Sequence, residues 1–337
     1  MNILIAGGAG YIGSHICTEL IAAGYEPIVV DNLTNSRPFI YDRIAKIVGR
    51  SIIHYNHDVR DVDFMTSILK KHNCKAVIYL AAYKSVVESV GDPLKYYDNN
   101  ICGLVAMLQA MNAANVRQFI YSSSTTVYGN TNKLPMTEDS PVQPPMNPYG
   151  ATKQMSEQII KDVCSATKMR ALILRYFNPI GAHPTGLIGE LPIGVPSFLL
   201  PYVMQVATGA REDLTVYGDD YNTIDGSPVR DYIHIMDLAR AHIKSLNYLG
   251  KVDKSVDTFN ICTGSGTSVF QFIEAFEDAT GVKIPHKVGP RRKGDIASSY
   301  ASGDKAKKML GWEAELSVKQ ALADTWRWQK SLDKSVY

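Results

Sequence analysis

Apolar residues fall first in short blocks and only then at helical spacing. Asn2 to Ala6 (NILIA) is one such block. It is followed by Gly7-Gly8-Ala9-Gly10-Tyr11-Ile12-Gly13, and then by apolar positions through Ile16, Leu20 and Ile21 to Gly24. A short apolar run closed by glycine reads as a buried strand, and the longer spaced pattern reads as a helix. Pro27 to Val30 forms the next block and ends at Asp31. Strands are expected at 51–55, 76–82 (AVIYLAA), 118–123 and 171–176 (ALILRY), with helices over 61–72 and 93–115 and one starting at Tyr149. Strands alternating with helices predict an α/β fold, a doubly wound parallel sheet of the Rossmann type with ligands at the strands' carboxyl ends.

The texture changes after residue 168. Beyond Tyr176 a glycine- and proline-rich run to Pro201 breaks the alternation, and shorter helices are expected near 198–209, 236–248, 268–280 and 303–310. Residues 1–176 are therefore expected to form a nucleotide-binding domain. Residues 177–337 should be mainly a smaller α/β substrate domain, with some segments returning to the first.

Composition removes several classes of function. A formal charge of +2, with no basic cluster beyond Arg291-Arg292-Lys293, argues against a nucleic-acid partner. The five cysteines (Cys17, Cys74, Cys102, Cys164 and Cys262) are scattered, and the eight histidines show no ligand spacing, so no metal is expected and the thiols read as reduced. No apolar run approaches the ~18 residues of a membrane helix. A strand begins within the first residues, with no signal segment before it. A cytoplasmic protein is expected.

The candidate chemistry sits at strand ends and on one helix. Glycines at 7, 10 and 13 between a strand and a helix let backbone approach a pyrophosphate at a helix N-terminus. Asp31, 24 residues after Gly7, would accept from ribose hydroxyls and repel a 2′-phosphate, which predicts NAD over NADP; Arg37 is the nearby cation that could pair with a phosphate. Asp58 is placed to reach the adenine amine. Tyr149 and Lys153 share a helix face, and a cation beside a phenol favours the phenolate, making the pair a candidate general acid/base. Ser124 follows a strand and could hydrogen-bond the phenol or a substrate. Lys84 also follows a strand and by itself reads as a solvated surface lysine. Arg230 and Arg292 come from two polar clusters and suit a diphosphate clamp, with Asp295 for sugar hydroxyls; before any resemblance is considered, surface charge explains them about as well.

The glycine turn, Asp31, Ser124 and Tyr149/Lys153 together resemble the extended short-chain dehydrogenase/reductase superfamily. The runs GGAGYIGSH, YYDNN, SSSTTVYG, NPYGATK, LRYFNPIGAHP, VRDYIH and PRRKGD, spread over essentially the whole chain, resemble the UDP-glucose/UDP-galactose 4-epimerase family. The resemblance implies that Tyr149 is the base at the sugar 4-hydroxyl, with Lys153 lowering its pKa and Ser124 bonding the 4-oxygen. It implies that Gly7, Gly10, Tyr11, Ile12, Gly13, Asp31, Asn32, Asp58, Val59, Ala81, Lys84, Asn99, Ser122, Tyr149, Lys153 and Tyr176 hold NAD. It also implies that Lys84, Ser124, Tyr149, Asn178, Leu199, Tyr217, Arg230, Arg292, Asp295 and Ser299 hold the UDP-sugar. A homodimer paired through 93–115 and 149–167 is expected on the same ground.

Three departures bear on specificity. Tyr83 stands where glucose-specific relatives carry a smaller aliphatic residue, and Phe198 replaces a usual asparagine. Ser299 replaces a bulky tyrosine that closes the sugar pocket, so UDP-N-acetylhexosamines should also be accepted; a one-residue slip in register would make Tyr300 the wall instead. A 4,6-dehydratase would need an acidic pair at Thr125 and Thr126. A UDP-glucuronate decarboxylase, a pentose 4-epimerase and an NAD-binding sensor without activity complete the alternatives.

Overall fold

The computed structural model describes residues 1–130, 133–193, 196, 198–252, 254–292 and 295–332. Lys293 and Gly294 of the second polar cluster lie outside them. The first part of the chain runs β1 (Asn2–Ala6), α1 (Tyr11–Ala22), β2 (Glu26–Asp31), α2 (Phe39–Val48), β3 (Ile53–Asn56), α3 (Val62–Lys71), β4 (Ala76–Tyr79), α4 (Val86–Gly91) and α5 (Pro93–Tyr97). A π-helical turn (Asp98–Cys102), α6 (Gly103–Ala113), β5 (Gln118–Ser124), a 3-10 turn (Thr125–Tyr128), α7 (Pro148–Ala166) and β6 (Arg170–Tyr176) follow. The second part runs β7 (Asn178–Ile180), α8 (Leu199–Ala207), β8 (Leu214–Tyr217), β9 (Val229–Arg230), β10 (Tyr232–His234), α9 (Ile235–Leu249) and β11 (Val256–Ile261). It ends with β12 (Thr267–Ser268), α10 (Val269–Thr280), β13 (His286–Gly289), β14 (Ser298–Ser299), α11 (Asp304–Leu310) and α12 (Val318–Ser331).

Seven strands form one parallel sheet in the order β11-β6-β5-β4-β1-β2-β3. Its central strands read as unbroken apolar runs because both faces are covered. Ile3, Ile5 and Ile78 pack on one side with Ile16, Leu20 and α9 residues, and Leu4, Val77 and Phe119 pack on the other with Leu104, Met107 and Met111. The chain builds outward from β1 through β2 and β3, then crosses to β4 on the other side of β1. That reversal opens a crevice beyond the carboxyl ends of β1 and β4, where doubly wound sheets bind ligands.

Part of the 177–337 segment returns to the large sheet. β11 joins the large sheet beside β6, and α9 packs on α1. The remaining small sheets, β10-β7, β12-β9-β14 and β13-β8, pack with α8, α10 and α12 around Phe272, Phe276 and Val203. Among the described residues no helix is long and apolar enough to cross a membrane.

Candidate active site

The glycine turn lies at the sheet's switch point. Gly7 has φ +83°, and a Cβ there would stand 2.9 Å from the Ala81 amide nitrogen; one on Gly13 would stand 2.4 Å from the Gly7 carbonyl. Only glycine lets β1, β4 and α1 close this tightly. No side chain caps α1 at Gly10 and its first turn carries no acid, so its amides and dipole are left for an anion. Gly7, Gly10, Asp31, Asn32, Val59, Ala81 and Asn99 line a crevice that continues into a cleft of about 540 Å³. Tyr11, Ile12, Gly13, Lys84, Ser122 and Phe198 are on the walls of that cleft.

Asp31 is nearly buried and already held. Its Oδ2 accepts the Ala9 amide at 3.0 Å, and its Oδ1 accepts the Leu33 amide at 2.8 Å and the Ser36 hydroxyl at 2.9 Å. A carboxylate offers about four acceptor positions, so room for a further donor is left. Asp58 is chelated by Arg60, which donates Nε to Oδ1 at 3.0 Å and Nη2 to Oδ2 at 2.8 Å, and this guanidinium holds its pKa down near about 2. Asn32 Nδ2 also donates to Asp58, at 3.2 Å.

Asn99 lies in a π-helical turn rather than in a continuous helix, because the expected 93–115 element divides into α5, the turn and α6. Such turns reaim side chains, and frequently do so at functional sites. The buried Asn100 is the residue this turn uses most. Its Oδ1 accepts the Tyr83 amide at 2.9 Å, and its Nδ2 donates to the Tyr83 carbonyl and to Thr152 Oγ1, both at 3.1 Å. It thereby ties the loop after β4 to α7.

Helix α7 begins under an Asn147 cap, whose side chain accepts the Gly150 amide at 2.8 Å, with Pro148 in its first turn. Tyr149 and Lys153 project one turn apart. Ser124, the last residue of β5, stands beside the Tyr149 phenol and acts to lower its pKa. Lys153 Nζ donates to the Ser122 carbonyl at 2.6 Å and faces the Tyr121 ring at 4.9 Å and the Tyr149 ring at 5.8 Å.

The expected lowering of the phenol by the lysine is not what the structure shows. Crowding raises Tyr149, with only Ser124 opposing, while burial pulls Lys153 down to about 7 against the pull of Glu157. Two groups taken out of water each favour their neutral form.

Two other sequence-predicted residues are already engaged. Lys84 Nζ donates to Glu190 Oε1 at 2.8 Å and lies 5.2 Å from the Phe198 ring centre, so it is an exposed lysine on the cleft wall that is already ion-paired. The Tyr176 hydroxyl is buried against the ring Nε2 of His242.

The far end of the site comes from the small sheets. Arg230 Nη1 donates to the Val229 carbonyl at 2.8 Å and Nη2 to Asp295. Arg292 lies 3.9 Å over the Tyr217 ring, and the Asp295 amide donates to the Arg292 carbonyl at 3.1 Å, which joins the two groups. Ser299 pairs in register with Arg230, and the Asp231 amide donates to its carbonyl at 3.1 Å. Asn178 Nδ2 donates to the Asp231 carbonyl at 2.9 Å, and Leu199 opens α8. The two arginines thus arrive by separate routes, Arg230 through Asp295 and Arg292 through Tyr217.

Glu157, Arg175, Glu190 and Asn100 are absent from the sequence-derived set. Glu157 continues the i, i+4 spacing of Tyr149 and Lys153, and Arg175 is the one cation within the apolar run 171–176, so both carried a readable signal. Glu190 and Asn100 are identified only by their contacts.

A parallel sheet with a glycine cradle at its switch point, and serine, tyrosine and lysine converging beside it, defines an extended short-chain dehydrogenase/reductase. Residues 4–325 match the family model described as GDP-mannose 4,6 dehydratase. The chain is 47% identical to UDP-glucose 4-epimerase of Bacillus subtilis (strain 168), covering 98% of this chain and 97% of that one. It superposes at TM-score 0.96 and 45% identity on UDP-glucose-4-epimerase from Stenotrophomonas maltophila with bound NAD and formylated UDP-arabinopyranose, covering 98% of each chain. Against UDP-glucose 4-epimerase from Bifidobacterium longum in complex with NAD+ and UDP, the TM-score is 0.92 at 45% identity, again over 98% of each chain. The chain belongs to the UDP-glucose 4-epimerase family.

Proposed function

We infer that the chain is an isomerase, an NAD-dependent epimerase that interconverts UDP-glucose and UDP-galactose at carbon 4. The observation that carries this reading is the convergence of Ser124, Tyr149 and Lys153 beside the glycine cradle. The cradle fits NAD: Gly7 and Gly13 let β1, β4 and α1 close tightly around the turn, α1 leaves its N-terminus to an anion, and Asp31 keeps a position for a ribose hydroxyl. Gly7, Gly10, Tyr11, Ile12 and Gly13 would hold the pyrophosphate. Asp31, Asn32, Asp58, Val59, Ala81 and Asn99 would hold the adenosine, and Lys84, Ser122, Tyr149, Lys153 and Tyr176 the nicotinamide half. When bound, NAD would supply the hydride acceptor, and after reduction the donor, for chemistry at carbon 4, and its positive ring would favour the phenolate.

The chain's own residues handle protons and position. Tyr149 Oη takes the 4-hydroxyl proton and gives it back, Ser124 holds the 4-oxygen, and Lys153 supplies the neighbouring positive charge. Arg230 and Arg292 grip the diphosphate, with Asn178, Leu199, Tyr217 and Asp295 on the rest of UDP. That leaves the sugar loosely held and free to turn. Thr125 and Thr126 beside Ser124 offer no acid for eliminating water.

Ser299 supports a broader substrate range, UDP-N-acetylglucosamine and UDP-N-acetylgalactosamine included. It is a small residue on β14, while the neighbouring Tyr300 ring packs toward Gly266, which argues against the one-residue register slip. Equilibration of UDP-glucose and of UDP-N-acetylglucosamine, followed by proton NMR of the anomeric region, should give galacto products from both. Conversion of UDP-glucose alone would remove the open-pocket reading.

A homodimer is the assembly this reading favours, since Val87, Val90 and Leu94 on α4 and α5 and Met155 on α7 are exposed apolar side chains on elements packed together. Residues 177–337 serve mainly as the UDP-sugar domain, and free cysteines fit a cytoplasmic protein.

A further inference from the structure

The face of α7 that carries Tyr149 and Lys153 continues into a third charged residue. Glu157 stands one turn beyond Lys153, about 6 Å along the helix axis. It is 3% exposed, and a carboxylate so placed must be fully partnered. Arg175 Nε donates to Oε1 at 2.9 Å, Arg175 Nη2 donates to Oε2 at 2.7 Å, and Ser123 Oγ donates to Oε1 at 2.6 Å. Arg175, equally buried, sits opposite Ser123 in the β5–β6 register and lies over the Tyr128 ring at 4.7 Å. Three successive residues of β5 therefore face three residues of α7: the Ser122 carbonyl accepts from Lys153, the Ser123 hydroxyl donates to Glu157, and Ser124 stands beside Tyr149.

A buried ion pair adds little stability over an apolar pair of the same size, so docking α7 on the sheet does not account for it. We propose that Glu157, locked by Arg175 and Ser123, is a positioning residue for the acid/base pair: its fixed carboxylate holds charge on Lys153 and thereby sets the pH range in which Tyr149 works, with Arg175 as the opposing charge that limits the effect. The inference rests on Tyr149 and Lys153 being the proton-handling pair. The electrostatics agree with the geometry, because Glu157 is the group that opposes the loss of charge that burial imposes on Lys153.

Other groups around α7 are accounted for. Tyr121 on β5 and Tyr176 on β6 are neutral phenols driven upward by burial, and Tyr128 bonds Asn260 of β11. On α4 and α5, Glu88 pairs with Lys95 and Tyr96; on the π turn, Asp98 pairs with Arg60; on β11, Asp257 pairs with Lys254 and Lys305. Glu157 is thus the charge that bears on Lys153, and Arg175 is the charge that faces Glu157.

The test is the pH dependence of kcat for UDP-glucose epimerisation in the NAD-loaded enzyme. Tyr149 and Lys153 titrate as a pair, and removing a nearby anion lowers both apparent values, while removing a nearby cation raises both. Glu157→Gln should move the profile about one pH unit toward acid, and Arg175→Met should move it toward alkali. Glu157→Asp, which keeps the charge, should keep the profile's position whatever rate it loses.

Shifts of the same sign in the Gln and Met variants, or none in either, overturn the proposal. If Glu157→Gln does not fold, the alkaline shift of Arg175→Met decides alone. Tyr149→Phe separates the failures: a nearly full rate there removes the acid/base reading, whereas a lost rate with unmoved charge variants removes only the role of Glu157.

Discussion

Lys153 and Tyr149 meet as their spacing requires, but burial rather than proximity sets their charge. A spacing rule reports which side chains share a face and says nothing of how much water that face excludes. The same limit applies to Lys84, whose partner Glu190 is 106 positions away, and to Asp58, which is held by Arg60 before any ligand arrives. Ser299 is the residue where a single change should read out most cleanly. Ser299→Tyr should leave UDP-glucose turnover within a few-fold and reduce UDP-N-acetylglucosamine turnover at least about tenfold, an amount that one steric clash of ~1–3 kcal/mol supplies. Equal loss on both substrates, measured as kcat/KM, would show that Ser299 does not gate the sugar.

Most large-sheet strands were legible, because a strand covered on both faces is a short apolar run. β4 stops at Tyr79, short of the expected 82, since the chain turns away at Leu80 to meet Gly7. β11 was not legible: its interspersed polar residues, Asp257 and Asn260, resemble a surface segment until Lys305 and Tyr128 are seen to hold them. The two-residue strands β9, β12 and β14 are too short to leave any period. Helices α2, α4 and α12 were also missed, the last with Trp328 fully buried behind the cleft. Helices α4 and α5 carry the exposed Val87, Val90 and Leu94, so sedimentation should find two chains per particle, and Leu94→Glu should shift that species toward one. A wild-type particle of one chain would contradict the pairing.

Across the whole molecule, buried neutral histidines tie the two parts of the chain to a neutral environment. His15 on α1 and His242 on α9 are fully buried, and desolvation lowers them to about 3 and about 4. Unfolded histidine titrates near ~6.5, so below that pH the unfolded chain binds more protons and stability falls with pH. Asp231 opposes this: burial raises it to about 6, so its folded form gains a proton first and stability rises as pH falls toward ~4. Two protons against one leave a net loss on the order of 2 kcal/mol between pH 7 and pH 5. Urea unfolding should therefore show a lower midpoint at pH 5, and an equal or higher midpoint would mean that the histidines are not held neutral.

On the function proposed above, a cradle for NAD and a proton-handling tyrosine act on one sugar carbon. Proton NMR of UDP-glucose incubated with the wild-type chain and with Tyr149→Phe tests it directly. The wild type should bring UDP-glucose and UDP-galactose to equilibrium, and the variant, folded and still carrying NAD, should be slower by about 10²–10⁴-fold. Near-normal conversion by Tyr149→Phe, or none by the wild type, would contradict the account.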